Sequence, residues 1–374
     1  MYPCWREFVF HAGKRQTRER VKLFYQIHCL VEGLSLENIA KLEETIAPFS
    51  AFSSIEFLDI SNEELEPRHN YRKLDPLIAS EIKKLYLKLN AFSQKRFSKM
   101  IMCRFFFASL FPQYDKMIMF DVDTLFVDDM SESFFIPLET HYFGAVREKD
   151  LIAMDKNSAK DLYELRQMHA KTIGVADAFA FPNLEEAQIL FDNYFNCGFL
   201  ALNLKLWREE NLENQLIGFF LLKNEKLLFN DQDALCFVCR GRILELPYSY
   251  NAHPSFLDTP SFPSIKEACM LHFWGDKPWK LLSVIGAKKW HEILIQTPFK
   301  DAYFNAPFLD HLFESLQNRD KETQEIHALN KILSFSDKRH SFEFLLPRLS
   351  SKLLIEFLLF KAKQKMKRLI KRVF

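Results

Sequence analysis

Apolar residues fall into short runs over the first two thirds of the chain and into helical stripes after about residue 300. Phe24–Leu30 is a short apolar run with a β-branched member, the pattern of a buried strand. Ser35 then opens a helix; Asn38, three residues later, is not the Glu or Gln of a full capping box, but Ser alone is a good N-cap. Leu36, Ile39, Ala40, Leu42 and Ile46 carry helical spacing up to Pro48, and Ile55–Ile60 is the next strand. Strand, helix and strand in so short a span predict a βαβ unit, hence parallel strands covered by helices. Residues 72–110 are mostly helical, and Pro112 ends that stretch. Lys116–Phe120 runs apolar into Asp121, and Phe199–Leu204 reads as another buried strand leading into a helix around Trp207. Residues 231–240 read as a helix with an acidic N-terminus and residues 268–274 as a further strand. The short stretch Trp5–Ala12 reads as the remnant of a helix. There is no internal repeat and no low-complexity linker.

The 374 residues suffice for one large or two small domains. A formal charge of +1 removes the basic excess that nucleic-acid binding needs, so no nucleic-acid partner is expected. The 39 Phe against 9 Gly reflect base composition rather than a functional aromatic surface. Seven Cys, an odd number mostly inside apolar runs, read as reduced thiols. Cys236 and Cys239 have no second pair at zinc-site spacing, so core packing on a helix is expected. No signal peptide and no window of membrane-spanning length is visible, which predicts a cytoplasmic protein.

The C-terminus qualifies that expectation. Residues 361–374 hold seven Lys or Arg and no acid, interleaved with Met366, Leu369, Ile370, Val373 and Phe374. Leu353–Phe360, just before them, is strongly apolar. A basic amphipathic segment over 353–374 suits an anionic membrane surface, here the inner face of the cytoplasmic membrane. The alternative is a basic helix packed on its own domain.

The chemistry centres on Phe120-Asp121-Val122-Asp123-Thr124-Leu125. Asp121 and Asp123 end an apolar strand, and side chains two apart on a strand share a side. Two such carboxylates make a hard, oxygen-rich site for Mg²⁺ or Mn²⁺. Strand C-termini of parallel α/β sheets are also where ligands bind. Alone, the same spacing describes a solvated turn.

Further blocks follow. Arg104 stands upstream in Cys103-Arg104-Phe105. Downstream come Phe195-Asn196-Cys197-Gly198, then Asn230-Asp231-Gln232-Asp233, then Leu271-His272-Phe273-Trp274-Gly275-Asp276-Lys277-Pro278-Trp279. With residues 114–129 they make five blocks, in order, over residues 98–280, and the chain resembles glycosyltransferase family 8. The resemblance implies an α/β, GT-A (Rossmann-like) mixed sheet flanked by helices over residues 1–280. A helical region over 281–374 would follow. It implies a retaining transfer of a hexose, glucose or galactose, from a UDP-sugar to a saccharide or glycolipid acceptor such as lipopolysaccharide. It also implies that His272 joins Asp121 and Asp123 on Mn²⁺ or Mg²⁺. Arg104 would pair with donor phosphate or with an Asp of the motif. Gly275 would allow close approach to phosphate and Lys277 would supply charge. Asn196, Gly198, Asp231 and Gln232 would face the donor sugar. Asp231 and Gln232 are the catalytic candidates, either as a covalent nucleophile or in same-face attack.

One departure stands out. Family members open with a central strand whose acidic and Tyr tail holds the nucleotide base, and residues 1–20 contain neither. The expectation is a sheet whose first strand is missing, and with it the residues that would hold the base. The alternatives are that residues 5–10 replace the strand, or that the chain is an inactive, truncated paralogue with a residual metal site. A phosphatase of the haloacid-dehalogenase type also begins with Asp-x-Asp. It wants Thr or Val four residues after the first Asp, where this chain has Leu125.

Overall fold

The computed structural model describes residues 5–12, 15–61, 69–148, 184–224, 227, 229–257, 264–281 and 284–303. They divide into two compact units. The first runs through Ala252 and includes Leu257–His272; the second holds His253–Phe256 and the described residues from Phe273 onward.

The first unit opens with β1 (Trp5–Ala12) paired antiparallel to β2 (Arg15–Lys22). The helix remnant expected at Trp5–Ala12 is thus a strand. Its run of Trp5, Phe8, Val9 and Phe10 around Arg6 and Glu7 follows neither a strand nor a helix period, and pairing with β2 decides the outcome. β3 (Tyr25–Val31), α1 (Leu36–Ile46) and β4 (Ser53–Asp59) form the expected βαβ unit, with β3 and β4 parallel. Ser35 caps α1 by accepting from the Asn38 N–H at 3.3 Å. The Pro48 turn then continues as a 3-10 turn over Ala47–Phe49. β5 (Tyr71–Lys73) adds in parallel to β4. Ile39 of α1 and Phe57 of β4 are fully buried against each other's elements. Side chains of that size each contribute ~1.5–3 kcal/mol on burial.

The stretch expected to be mostly helical is broken into α2 (Pro76–Tyr86), α3 (Ala91–Arg96), a 3-10 helix (Lys99–Phe106) and α4 (Phe107–Leu110). Asp75 and Asn90 cap α2 and α3. A second sheet follows, built from β6 (Lys116–Phe120), β8 (Phe143–Arg147), β9 (Phe195–Asn203) and β10 (Ile243–Glu245) in the order β10-β8-β9-β6. β10 and β8 are parallel, while β9 runs antiparallel to both of its neighbours. Every residue of β9 from Phe195 to Leu202 is buried, as in a strand covered on both faces. Between β6 and β8 lie β7 (Thr124–Phe126) and α5 (Ser131–Phe135). Helices α6 (Leu184–Asp192), α7 (Leu204–Glu209), α8 (Leu212–Lys223) and α9 (Asn230–Val238) complete this part. Cys236 and Cys239 are buried in the main core, as expected of packing residues.

The architecture is therefore α/β, with mixed sheets flanked by helices. Among the described residues, β3 pairs only with β4 and β6 only with β9, so no strand joins the two sheets. β1 pairs with β2 and not with either of those edges.

In the second unit, α10 (Ala287–Leu294) and α11 (Lys300–Tyr303) pack through aromatic rings. Trp279 and Trp290 lie 5.7 Å apart between centroids, and Tyr303 donates to the Trp279 carbonyl at 3.0 Å. The rest of the region expected to be helical, and the basic segment 353–374, lie outside the described residues. No helix among those described is long and apolar enough to cross a membrane.

Candidate active site

β6 ends at Phe120, opposite Phe199 of β9. The Asp121 N–H still donates to the Gly198 carbonyl at 2.9 Å, and the chain then leaves the sheet. Asp121, Val122 and Asp123 form a turn, closed by the Thr124 hydroxyl donating to the Asp121 carbonyl at 2.7 Å. This corrects the expectation that the two carboxylates sit together by strand alternation. Val122, between them, is 99 % exposed. What brings them together is the turn.

β7 begins directly after it and pairs antiparallel with β11 (Met270–His272), with Thr124 opposite His272. That register carries the imidazole to the carboxylates. His272 Nε2 lies 3.3 Å from Asp123 Oδ1 and 3.7 Å from Asp121 Oδ2. The three groups can each offer one ligand atom within 4.8 Å of the others. Cis ligands on an octahedral ion with bonds of ~2.1 Å lie ~3 Å apart, so slight closure would fit Mg²⁺ or Mn²⁺. Two carboxylates and an imidazole also suit such an ion chemically.

Arg104 enters from the 3-10 helix Lys99–Phe106. One guanidinium nitrogen donates to Asp121 Oδ1 and another to Asp231 Oδ2. Burial disfavours its charge, but the two carboxylates outweigh that and raise its pKa. At Asp231 burial dominates and lifts the carboxyl above its usual range; the Asp121 charge adds to this and Arg104 opposes it. Asp231 lies in the first turn of α9, beside Gln232, whose Oε1 accepts the Cys197 N–H at 3.0 Å. The next residue but one, Asp233, has a structural job. It accepts from the Tyr194 hydroxyl at 2.9 Å and from the Phe229 N–H at 3.1 Å, which holds α9 against the start of β9.

Asn196 and Gly198 lie on β9 behind the imidazole. The Asn196 amide oxygen accepts from the Gly198 N–H at 2.9 Å, and its nitrogen donates to Glu148 at 2.9 Å. The structure thus gathers Arg104, Asp121, Asp123, Asn196, Gly198, Asp231, Gln232 and His272 in the first unit. Gly275 and Lys277 belong to the second. There Gly275 has φ +98°, open to glycine at no cost, and the Lys277 ammonium donates to the Phe273 carbonyl at 2.6 Å. Glu148 and Asn251 are the polar residues that sequence reasoning missed. Neither lies in a periodic run or a motif, and only their hydrogen bonds in the folded chain expose them.

Residues 6–282 match the model of Glycosyl transferase family 8. The chain is 29% identical over 144 residues to a protein of Haemophilus influenzae described as a glycosyltransferase, covering 38% of this chain and 36% of that one. It is 26% identical over 132 residues to the lipopolysaccharide 1,2-glucosyltransferase of Escherichia coli K12, covering 33% of this chain and 39% of that one. The matched stretch is thus well under half the length of either relative. Among solved structures, a galactosyltransferase, LgtC, in complex with donor and acceptor sugar analogues aligns with 17% identity and a TM-score of 0.48. That alignment covers 73% of this chain and 96% of LgtC. An Asp-Asp-His cluster that could hold a metal thus stands beside an Arg–Asp clamp at the edge of a mixed sheet. The chain belongs to glycosyltransferase family 8. Membership in that family also sets aside the phosphatase reading.

Proposed function

We propose that this chain transfers a hexose, glucose or galactose, from a UDP-sugar to a saccharide hydroxyl, with retention of configuration. Asp121, Asp123 and His272 would hold Mn²⁺ or Mg²⁺. The observation that carries the reading is the convergence of those three ligand groups, with Arg104 bridging Asp121 to Asp231. When bound, the ion would neutralise charge on the departing diphosphate as a Lewis acid.

The chain's own residues do the rest. Arg104 supplies a permanent positive charge beside the carboxylates and keeps Asp121 oriented. The acceptor oxygen bonds to the anomeric carbon as the bond to the diphosphate breaks, and the acceptor's proton passes to the diphosphate oxygen. Asp231 would stabilise positive charge at the anomeric carbon. Arg104 holds its Oδ2, so as a covalent nucleophile Asp231 would act through Oδ1. Gln232, held by the Cys197 N–H, would orient the sugar. Gly275 and Lys277 would meet donor phosphate.

A lipopolysaccharide saccharide is the acceptor class favoured by the similarity to the Escherichia coli glucosyltransferase. The basic segment 353–374 would hold the enzyme peripherally on the inner face of the cytoplasmic membrane. The test is transfer from UDP-glucose and UDP-galactose, with product linkage read by NMR, to lipid-linked and soluble acceptors. Equal use of both acceptors, with or without residues 361–374, removes the membrane part. Absence of transfer by a chain that still binds Mn²⁺ and UDP leaves a binding paralogue.

A further inference from the structure

Behind the imidazole of His272 runs an unbroken line of buried polar side chains. Asn251 ends the 3-10 turn Tyr248–Asn251 and is fully buried; His272 is 3 % exposed, and Asn196 and Glu148 are 8 % exposed each. His272 Nδ1 lies 2.9 Å from Asn251 Oδ1. Asn251 Nδ2 donates to Asn196 Oδ1 at 2.8 Å, and Asn196 Nδ2 donates to Glu148 Oε2 at 2.9 Å.

An amide can be turned end for end, so the direction of such a line must be argued. Here Glu148 and the Gly198 N–H fix it. The Glu148 carboxylate accepts, so the Asn196 group facing it is the NH₂. The Gly198 backbone N–H, which can only donate, meets the other Asn196 atom at 2.9 Å, so that atom is the oxygen. Asn251 must therefore donate to Asn196, which turns its own oxygen to His272. Nδ1 must then carry a proton, and the lone pair of the neutral ring lies on Nε2, the atom that faces Asp121 and Asp123.

We infer that Asn251 is a positioning residue for the metal site: it fixes His272 in the Nδ1–H tautomer, with Glu148 and the Gly198 N–H setting the polarity through Asn196. The inference rests on the metal reading proposed above. Its backbone is suited to the task. The next residue, Ala252, donates to the Met270 carbonyl at 3.0 Å and accepts from the His272 N–H at 2.9 Å, so Asn251 and His272 are held in register. A partner of this kind raises ligand basicity and removes the wrong tautomer, and its loss weakens metal binding ~10–100-fold.

The experiment has two arms. In the metal-free full chain, ¹⁵N NMR of the His272 ring, assigned by its disappearance in His272→Ala, should show a protonated Nδ1. Calorimetric titration with Mn²⁺ alone should show Asn251→Leu weakened ~10–100-fold. An unprotonated Nδ1, or native Mn²⁺ affinity in a folded Asn251→Leu, overturns the inference. If Asn251→Leu does not fold, the ring spectrum decides, and an unprotonated Nδ1 overturns the inference. If the native chain binds no Mn²⁺, the metal reading fails, while the proton on Nδ1 still decides the direction of the line.

Discussion

A Cβ on Gly198 would lie 2.0 Å from Cε1 of His272. Gly198 does not adopt a left-handed backbone, so what the position requires is space and not torsional freedom. The strand β9 and the imidazole share one volume, and only the smallest residue leaves room for both. Gly198→Ala should push the ring out of the carboxylate cluster, cost ~1–3 kcal/mol by overpacking, and weaken Mn²⁺ binding by about tenfold or more. Thermal denaturation and Mn²⁺ titration check both effects.

Arg104 is the only side chain that donates to both Asp121 and Asp231 among the described residues. Arg104→Met leaves two part-buried carboxylates facing a thioether and should destabilise the metal-free chain by ~3 kcal/mol. Adding Asp231→Asn should recover part of that loss, a coupling read from a denaturant double-mutant cycle. Arg104→Lys should rescue poorly, because one ammonium cannot reproduce the guanidinium fork.

Asp231 and Asp233 should separate cleanly. Asp233→Ala removes the carboxylate that accepts from the Tyr194 hydroxyl and the Phe229 N–H, and should cost ~2–3 kcal/mol of stability. Asp231→Asn should keep the melting temperature within a few degrees, ~1 kcal/mol, yet lower kcat far more than KM. Melting curves beside steady-state kinetics distinguish the two.

Asp59 predicts an acid-side loss of stability. Its carboxylate, fully buried at the end of β4, accepts from Lys73 at 2.5 Å, from the Ser61 hydroxyl at 2.7 Å and from the Ser61 N–H at 2.9 Å. Burial pushes its pKa up, but these bonds outweigh it and hold the carboxyl well below the usual range. With the folded value depressed, the unfolded chain takes up more protons as pH falls. The contribution is complete above the unfolded pKa of ~3.9 and is lost as pH falls towards the folded value. Asp59→Asn should cost ~2 kcal/mol at pH 7, given the partial exposure of Lys73, and flatten the decline between about pH 5 and pH 2 in urea titrations.

Much of this was legible in the sequence because the informative signals were local. The runs that became β3, β4, β6 and β9 announce themselves by apolar content, and Ser35 announces α1. Asp121, Asp123 and His272 are legible as residues through their motifs. Their geometry was not legible, because it depends on a turn after Phe120 and on the pairing of Thr124 with His272, two residues far apart in the chain. Periodicity carries no information about such a pairing. Trp5–Ala12 failed for a different reason: a short run without clear periodicity fits a strand or a helix face until its partner is known. Glu148 and Asn251 carry no pattern of their own, and their meaning lies in the direction of a hydrogen-bonded line.

The central claim is a metal-dependent nucleotide-sugar site at Asp121, Asp123 and His272. Calorimetric titration of UDP into the purified chain, with and without Mn²⁺ and beside Asp121→Ala/Asp123→Ala, tests it most directly. The account predicts Mn²⁺-dependent UDP binding that the double variant loses. UDP binding that is indifferent to Mn²⁺ and to both carboxylates would contradict it.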